Sequence, residues 1–503
     1  MENKVINLVN FVRGCEPRKA MDLYAPVALE LETDRRLALP HTFLLQYDAM
    51  ERADFCDLFL REMRENGENT ELGVWFELCR ALTERAGIPW RGRPGYDWDW
   101  FTDPGFLPAY TPAERERLID EVFRRFREIF GTRPRVAGSW LLDAHSMAYM
   151  ADRYGMDAFC VCREQYAVDA YTLWGGYFNG GYYASRRNML MPAQTEAGQI
   201  PVPVFRMLGP DPIYCFDEAK YRPTLRGCYT MEPSWDCGGD RGIMEWYFRT
   251  YYQTPAVGLA HATTGQENSF GLSYFGKTYP MQAALIDEWR RAGVLTVQTL
   301  GQTGRAFRAA HRTTPPSSLS ALSDWAGNGN RSVWYSSARY RANLFLAGGH
   351  LFFRDLRLFR EDYAERYLTS PCRGKMGVYD TLPAVDGRLW SSENDPSELA
   401  LADGARDLAL RAEGDVLTVT FRADDRSGEV VFAPDRITLR GADAIYRPGR
   451  PDGETTVTVT PTGFDLTHRD FAYRIGVNRA PEPFGTAWRL PGDGDRVVLL
   501  LDK

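Results

Sequence analysis

"GENTELGVWFELC", residues 67–79, places an acidic residue, Glu71, before two apolar residues around a glycine and then a tryptophan, Trp75. Its centre, "ELGVWFE" (71–77), is a candidate strand. Seven more such runs follow or precede it within the first 310 residues: "KVINLVNFV" (4–12), "HTFLLQYDA" (41–49), "RVAGSWL" (135–141), "AFCVCRE" (158–164), "VPVFRML" (202–208), "AVGLAHAT" (256–263) and "VLTVQTL" (294–300). Helical patterns lie between them. The clearest is "TPAERERLIDEVFRRFREIFG" (111–131), with Thr-Pro at its start, early acids and a closing glycine. Alternation of strands and helices over this length means a parallel sheet covered by helices. With no G-x-G-x-x-G, seven or eight such units predict a closed or nearly closed (β/α) barrel rather than a dinucleotide-binding sheet.

The texture changes after residue 312. Residues 313–384 read as a linker and interdomain segment, and they include an odd charged block, "RYRAN" (339–343) with "FFRDLRLF" (352–359). That block either leans the second half of the chain against the barrel mouth or seals the interface with ion pairs. From 385 to 503 come period-two runs separated by Gly, Asp and Pro turns, the signature of an antiparallel β-sandwich. The expected organisation is therefore an α/β barrel over 1–312, a connecting segment, and a C-terminal sandwich.

Sixty basic against 67 acidic residues leave a net charge of −7, spread along the chain, with no basic field for nucleic acid. No run resembles a membrane span, and the first residues read as a core strand rather than a leader, so the chain as given is expected in the cytosol. A homo-oligomer is left open. The 9 cysteines are scattered without a C-x-x-C, as reduced thiols are. Aromatic residues make up 13% and gather in "WRGRPGYDWDWF" (90–101), "YTLWGGYFNGGYY" (171–183) and "MEWYFRTYY" (244–252). Interleaved with Gly, Asp and Arg, such residues suit platforms that stack on sugar rings, with Trp174 among them.

In a parallel barrel the catalytic groups come from the carboxyl ends of the strands, where the loops converge. Those ends carry Arg13 and Glu16, Gln46 and Asp48, Glu77 beside Glu71 and Trp75, Trp140 and Asp143, Glu164, Arg206, and then His261, Gln266 and Glu267. Carboxylates abound and metal-ligand spacings are absent. Two carboxylates can hydrolyse a glycosidic bond, one attacking or activating water and one protonated.

"RRLALPHTFLLQYDAM" (35–50) followed by "REMRENGENTELGVWF" (61–76) resembles the second and third strands of the polysaccharide deacetylase (NodB-like) barrel. That resemblance implies a metal held by an aspartate after the first strand and two histidines four apart after the third. Here Val12 and Arg13 stand near the aspartate position, and Trp75 and Cys79 fill the histidine positions. With 6 histidines in all and no H-x-x-x-H, a site of that kind is excluded, and no metal or other cofactor is expected. "PRVAGSWLLDAHSMAYMADRYGMDAF" (134–159) resembles the "P-x-G-x-W-L-P-E" stretch of glycoside hydrolase family 57, which would make Asp143 the nucleophile. "GQENSFG" (265–271) resembles that family's acid/base run, which would give Glu267 that part.

The expectation is thus a metal-independent glycosidase, retaining, acting through Asp143 and Glu267 on an oligo- or polysaccharide. Arg13, Glu16, Gln46, Asp48, Glu71, Trp75, Trp140, Glu164, Trp174, Arg206, His261 and Gln266 would line its substrate site. Arginine forks extend this to an anionic sugar, although Arg13 and Arg206 can equally pair with barrel carboxylates. Asp143 also fits an N-cap for the helix starting at Ala144, and His261 in an apolar strand fits a core histidine. The competing readings are a carbohydrate-binding protein without chemistry, and a metal-dependent hydrolase using Asp48, Glu71 and His261.

Overall fold

The computed structural model describes residues 4–165, 170–207, 211–215, 239–386, 397–424, 426–449 and 453–501. Eleven strands build its first part: β1 (Lys4–Val12), β2 (His41–Leu45), β3 (Thr70–Trp75), β4 (Val136–Ser139), β5 (Ala158–Cys162), β6 (Tyr171–Leu173), β7 (Gly181–Ser185), β8 (Asn188–Pro192), β9 (Gln199–Met207), β10 (Ala260–Thr264) and β11 (Thr296–Gln298). β10, β1, β2, β3, β4, β5 and β9 lie side by side in that order, all parallel. β11 pairs with Val5–Asn7 of β1, while β2 takes Val9–Val12. Full burial of these strands explains why they read as unbroken apolar runs.

The sheet does not close as a hydrogen-bonded barrel among the described residues. After β9 it turns antiparallel, through β7 and β8, instead of pairing with β10. Here the aromatic stretch 171–183 departs from its expected role as an exposed platform. It forms β6 and the start of β7, and Trp174, Tyr177, Phe178 and Tyr182 are buried. Large rings bury 150–250 Å² each, which outweighs their use as a surface where a second layer is available to cover them.

That layer is the rest of the chain. Residues 313–384, expected to connect two domains, contain β12 (Ser317–Ala321), β13 (Arg331–Ser336), β14 (Tyr340–Ala347) and β15 (His350–Leu358), the first strands of a nine-stranded antiparallel sheet. A second antiparallel sheet of eight strands packs on it through Tyr335 and Phe353 against Phe432, and Tyr446 against Phe464. Strand 377–379 pairs in parallel with β6, so the two halves are joined by backbone hydrogen bonds.

The helices end as their sequences dictate. Thr111 and Glu114 form a reciprocal capping box on Pro112–Phe130, which Gly131 closes in the left-handed conformation. Cys160 and Cys162 are buried free thiols; Cys228 and Cys237 lie outside the described residues. Among the described residues no helix is long and apolar enough to cross a membrane.

Candidate active site

The stretch 67–79 shows how the strand ends are built. A Cβ on Gly73 would fall 2.5 Å from Val136 Cγ2 and 2.7 Å from Leu44 Cδ2, so only glycine lets β2, β3 and β4 approach here. Trp75 fills the space above Gly138, its ring 4.4 Å from Phe11 and edge-on to Trp140 at 5.3 Å. Its indole Nε1 donates to Glu77 Oε2 at 2.9 Å.

Glu77 is held by Arg13, which donates from Nε and Nη2 to its two oxygens, both at 2.7 Å. The Nη1 of the same guanidinium bonds Glu267 and, at 2.7 Å, Ser269 Oγ. Trp98, from the 90–101 loop, lies 4.0 Å over the Arg13 carbon, and Arg18 stacks on its ring at 4.9 Å. The aromatic loop thus roofs the ends of β1, β3 and β10, and Trp98 is buried rather than presented to solvent. Side-chain exposure is 6% at Glu267, 4% at Arg13 and 2% at Glu77, so all three members are buried. Burial raises the Glu267 pKa while Arg13 pulls it down, and the net direction is upward.

Other expected residues surround this centre. Asp48 accepts from Gly14 N at 2.9 Å and Cys15 N at 3.0 Å, pinning the turn after β1, and burial raises its pKa. Glu16 pairs with Arg18; burial opposes its ionisation, but the arginine bonds hold its pKa low. Gln46 is buried, with neither amide atom partnered among the described residues. Gln266 is buried, its backbone tied to Asn10 Oδ1 at 3.0 Å and to Phe11 N at 2.9 Å.

Asp143 stands elsewhere. It caps Ala144–Tyr154, accepting from Ser146 N at 2.8 Å and Ser146 Oγ at 2.7 Å, and Arg115 Nη1 donates to it at 2.9 Å. Its carboxylate neighbour is Glu365, which accepts from Ala144 N at 2.9 Å and Met189 N at 2.8 Å. Burial, then the charge of Asp143, pushes Glu365 up to about 8. No described bond joins Asp143 to Glu267, and each is paired with a different arginine at a different strand end.

Glu71 lies near the start of β3, away from the carboxyl ends, accepting from Thr42 Oγ1 at 3.0 Å and Gly301 N at 2.9 Å. His261 is a core histidine: Nε2 meets Asn7 Oδ1 at 2.7 Å, Phe205 covers the ring at 4.9 Å, and burial, then Arg163, lowers its pKa to about 3. Asp48, Glu71 and His261 therefore do not converge, and the metal site imagined for them is corrected. Arg13, Trp75 and Cys79 do not fit the donor set of the deacetylase metal either. Among the described residues a grouping with ligand-like spacing occurs at Asp380, Glu454 and His468, where Arg366 already bonds both carboxylates at 2.6 Å.

At the ends of β5 and β9, Glu164 accepts from Arg206 at 2.9 Å and Arg341 at 2.6 Å. Burial opposes its ionisation, but these two cations win and its pKa is lowered. Trp174 is buried 5.7 Å from Arg341. Arg341 belongs to the charged block of residues 339–359, which enters the polar layer behind the sheet. Glu365 and Arg115 carried no signal in sequence, since their partners lie 221 and 28 positions away.

No family model and no curated protein matches the chain. Among solved structures it is similar to a "putative glycoside hydrolase/deacetylase" from Parabacteroides distasonis, at TM-score 0.55 and 14% identity, over 78% of this chain and 94% of that one. It is also similar to a "putative polysaccharide deacetylase" from Mycobacterium smegmatis and a "probable Polysaccharide deacetylase" from Pseudomonas aeruginosa, each at TM-score 0.34 and 12% identity, over 61% of this chain and 92% of theirs. The first likeness establishes the fold: mixed α/β with a large parallel sheet and antiparallel sheets behind it. The expected glycosidase is overturned, because the carboxylate pair it needed is split, Glu267 lying on Arg13 and Asp143 on Arg115.

Proposed function

We propose that the chain is a carbohydrate-directed hydrolase on a NodB-like barrel that cleaves an acyl bond, ester or amide, on a saccharide without the metal that the resemblance implies. The observation that supports it is the Arg13 guanidinium buried between Glu77 and Glu267, a fixed positive charge near the position where the resemblance places a metal. Glu267 acts as general base: its raised pKa makes it a stronger proton acceptor than an ordinary carboxylate. Water attacks the acyl carbon and gives its proton to Glu267. The carbonyl oxygen takes the negative charge near Arg13, and collapse returns the proton to the departing sugar oxygen or nitrogen. Trp75 and Ser269 are positioning residues, holding Glu77 and Glu267 respectively.

Release of acetate from acetylated oligosaccharides, measured before and after chelation, tests this. Turnover should survive the chelator and fall about 10²–10⁴-fold in Glu267→Gln. Loss of turnover on chelation, or an unchanged Glu267→Gln, would overturn it. Should the wild type release nothing while still binding saccharide, the second reading holds, a binding protein without chemistry. Four bonds from Arg13 to its neighbours, which leave the cluster largely self-satisfied, favour that alternative.

A further inference from the structure

The charged block "RYRAN…FFRDLRLF" does more than seal an interface. On β14 and β15, Arg341 donates from Nε and Nη2 to Asp355 at 2.8 and 2.9 Å, and from Nη1 to Glu164. Arg357, two residues beyond Asp355, reaches only its Oδ2, from Nε at 3.3 Å. Arg206, at the end of β9, spends Nε on Cys162 O at 3.1 Å and Nη1 on Glu164 and Tyr177 O. So three guanidiniums lean on two carboxylates. Both terminal nitrogens of Arg357 and Nη2 of Arg206 are buried with no partner among the described residues. Asp386, the register partner of Asp355 on the neighbouring strand, makes no bond to Arg357.

The backbone is shaped around these cations. A Cβ on Gly175 would collide with Thr381 Oγ1 and lie 2.5 Å from Arg357 Cδ; one on Gly176 would lie 2.9 Å from Arg206 Nη1. Two successive glycines thus bring one loop against both guanidiniums. Gly175 N donates to Glu164 at 3.0 Å and Gly175 O accepts from Thr381 at 2.9 Å, so the loop is fixed. A buried N–H without an acceptor is costly, and a guanidinium cannot relieve its charge by losing a proton. An oxyanion is the acceptor that would answer both the open N–H groups and the surplus charge. The end-on pair of Arg357 nitrogens matches two oxygens of one planar or tetrahedral oxyanion.

We infer that Arg357 and Arg206, packed against the Gly175–Gly176 loop, form a subsite for the anionic substituent of a saccharide, a carboxylate or a sulfate ester. This shares with the proposed function only the premise that the ligand is a carbohydrate. It concerns binding, and Arg13 and Glu267 take no part in it.

Thermal-shift and calorimetric titration of the whole chain with methyl glucuronide, glucose 6-sulfate, methyl glucoside and free sulfate test it. One or both anionic sugars should bind, and the neutral glucoside should bind at least about tenfold more weakly, the usual worth of a charge-assisted bond. Arg357→Met should erase that preference, while Arg357→Lys should restore part of it. Arg206→Lys, which keeps the charge but loses the one open nitrogen of Arg206, Nη2, gives an independent reading should Arg357→Met unfold. Equal binding of neutral and acidic sugars, binding of free sulfate alone, or an unaltered preference in Arg357→Met would overturn the inference. Acyl-bond turnover without acid preference would defeat this subsite and leave the proposed function standing. Acid-selective binding without turnover would do the reverse.

Discussion

Two buried ionic clusters sit on the carboxyl side of one sheet, and their imbalances run in opposite directions. At β1, β3 and β10 a single guanidinium, Arg13, serves two carboxylates, Glu77 and Glu267. At β5, β9, β14 and β15 two carboxylates, Glu164 and Asp355, serve Arg206, Arg341 and Arg357. A surplus carboxylate can shed its charge by binding a proton, and burial raises the Glu267 pKa in that direction. A surplus guanidinium has no such escape. The first cluster can therefore satisfy itself and lend a proton acceptor to chemistry, whereas the second stays incomplete until an anion arrives.

Removing one arginine from each cluster is the sharpest way to break this comparison. Arg13→Met strands two buried carboxylates and should cost about 3–5 kcal/mol in urea denaturation. Arg357→Met removes one long bond, leaves Asp355 its two bonds from Arg341, and relieves unpaired cationic nitrogens. It should change stability by less than about 1 kcal/mol, or raise it. Equal losses in the two variants would show that the second cluster is as self-contained as the first.

Asp143→Ala loses both a helix cap and the partner of buried Arg115, so about 3 kcal/mol should disappear. Asp143→Asn still caps and should cost less. The pH dependence of stability probes Glu365. Its folded pKa, about 8, lies above the ordinary glutamate value of 4.5, so the folded state binds the extra proton between those limits. Its contribution is complete below about pH 4.5 and is lost as pH rises through about 8. Urea midpoints should fall across that window, and Glu365→Gln should flatten the fall. Trp98→Leu, which removes the ring over Arg13, should cost less than Asp143→Ala, about 1–2 kcal/mol.

Much of the first sheet was legible in sequence. β1 spans the residues read as its strand, and the expected runs for β2 to β5 and β9 to β11 each contain or overlap the observed strand, because fully buried parallel strands are written as continuous apolar runs. β6 to β8 were not, since Gly and Tyr alternating in "GGYFNGGYY" look like an open loop until a second layer covers them. At the candidate site, Arg13 and Glu267 were legible from their places just after strands. The separation of Asp143 from Glu267 was not, because position after a strand says nothing about which neighbour a carboxylate will meet.

By itself the sequence determined which residues cannot hold the deacetylase metal: Trp75 and Cys79 have no histidine to offer, whatever the fold. It also determined the alternation of strands and helices and the cap chemistry of Asp143, since these depend on residues a few positions apart. Only the tertiary structure decided that Trp75 orients Glu77 and that Arg13 joins it to Glu267 across 254 positions. It alone brought Arg341, Asp355 and Arg357 up to Glu164 and Arg206. Periodicity reports which face of an element is buried. The charge balance of a cluster depends on what the other elements bring to that face, and that is settled only when they pack.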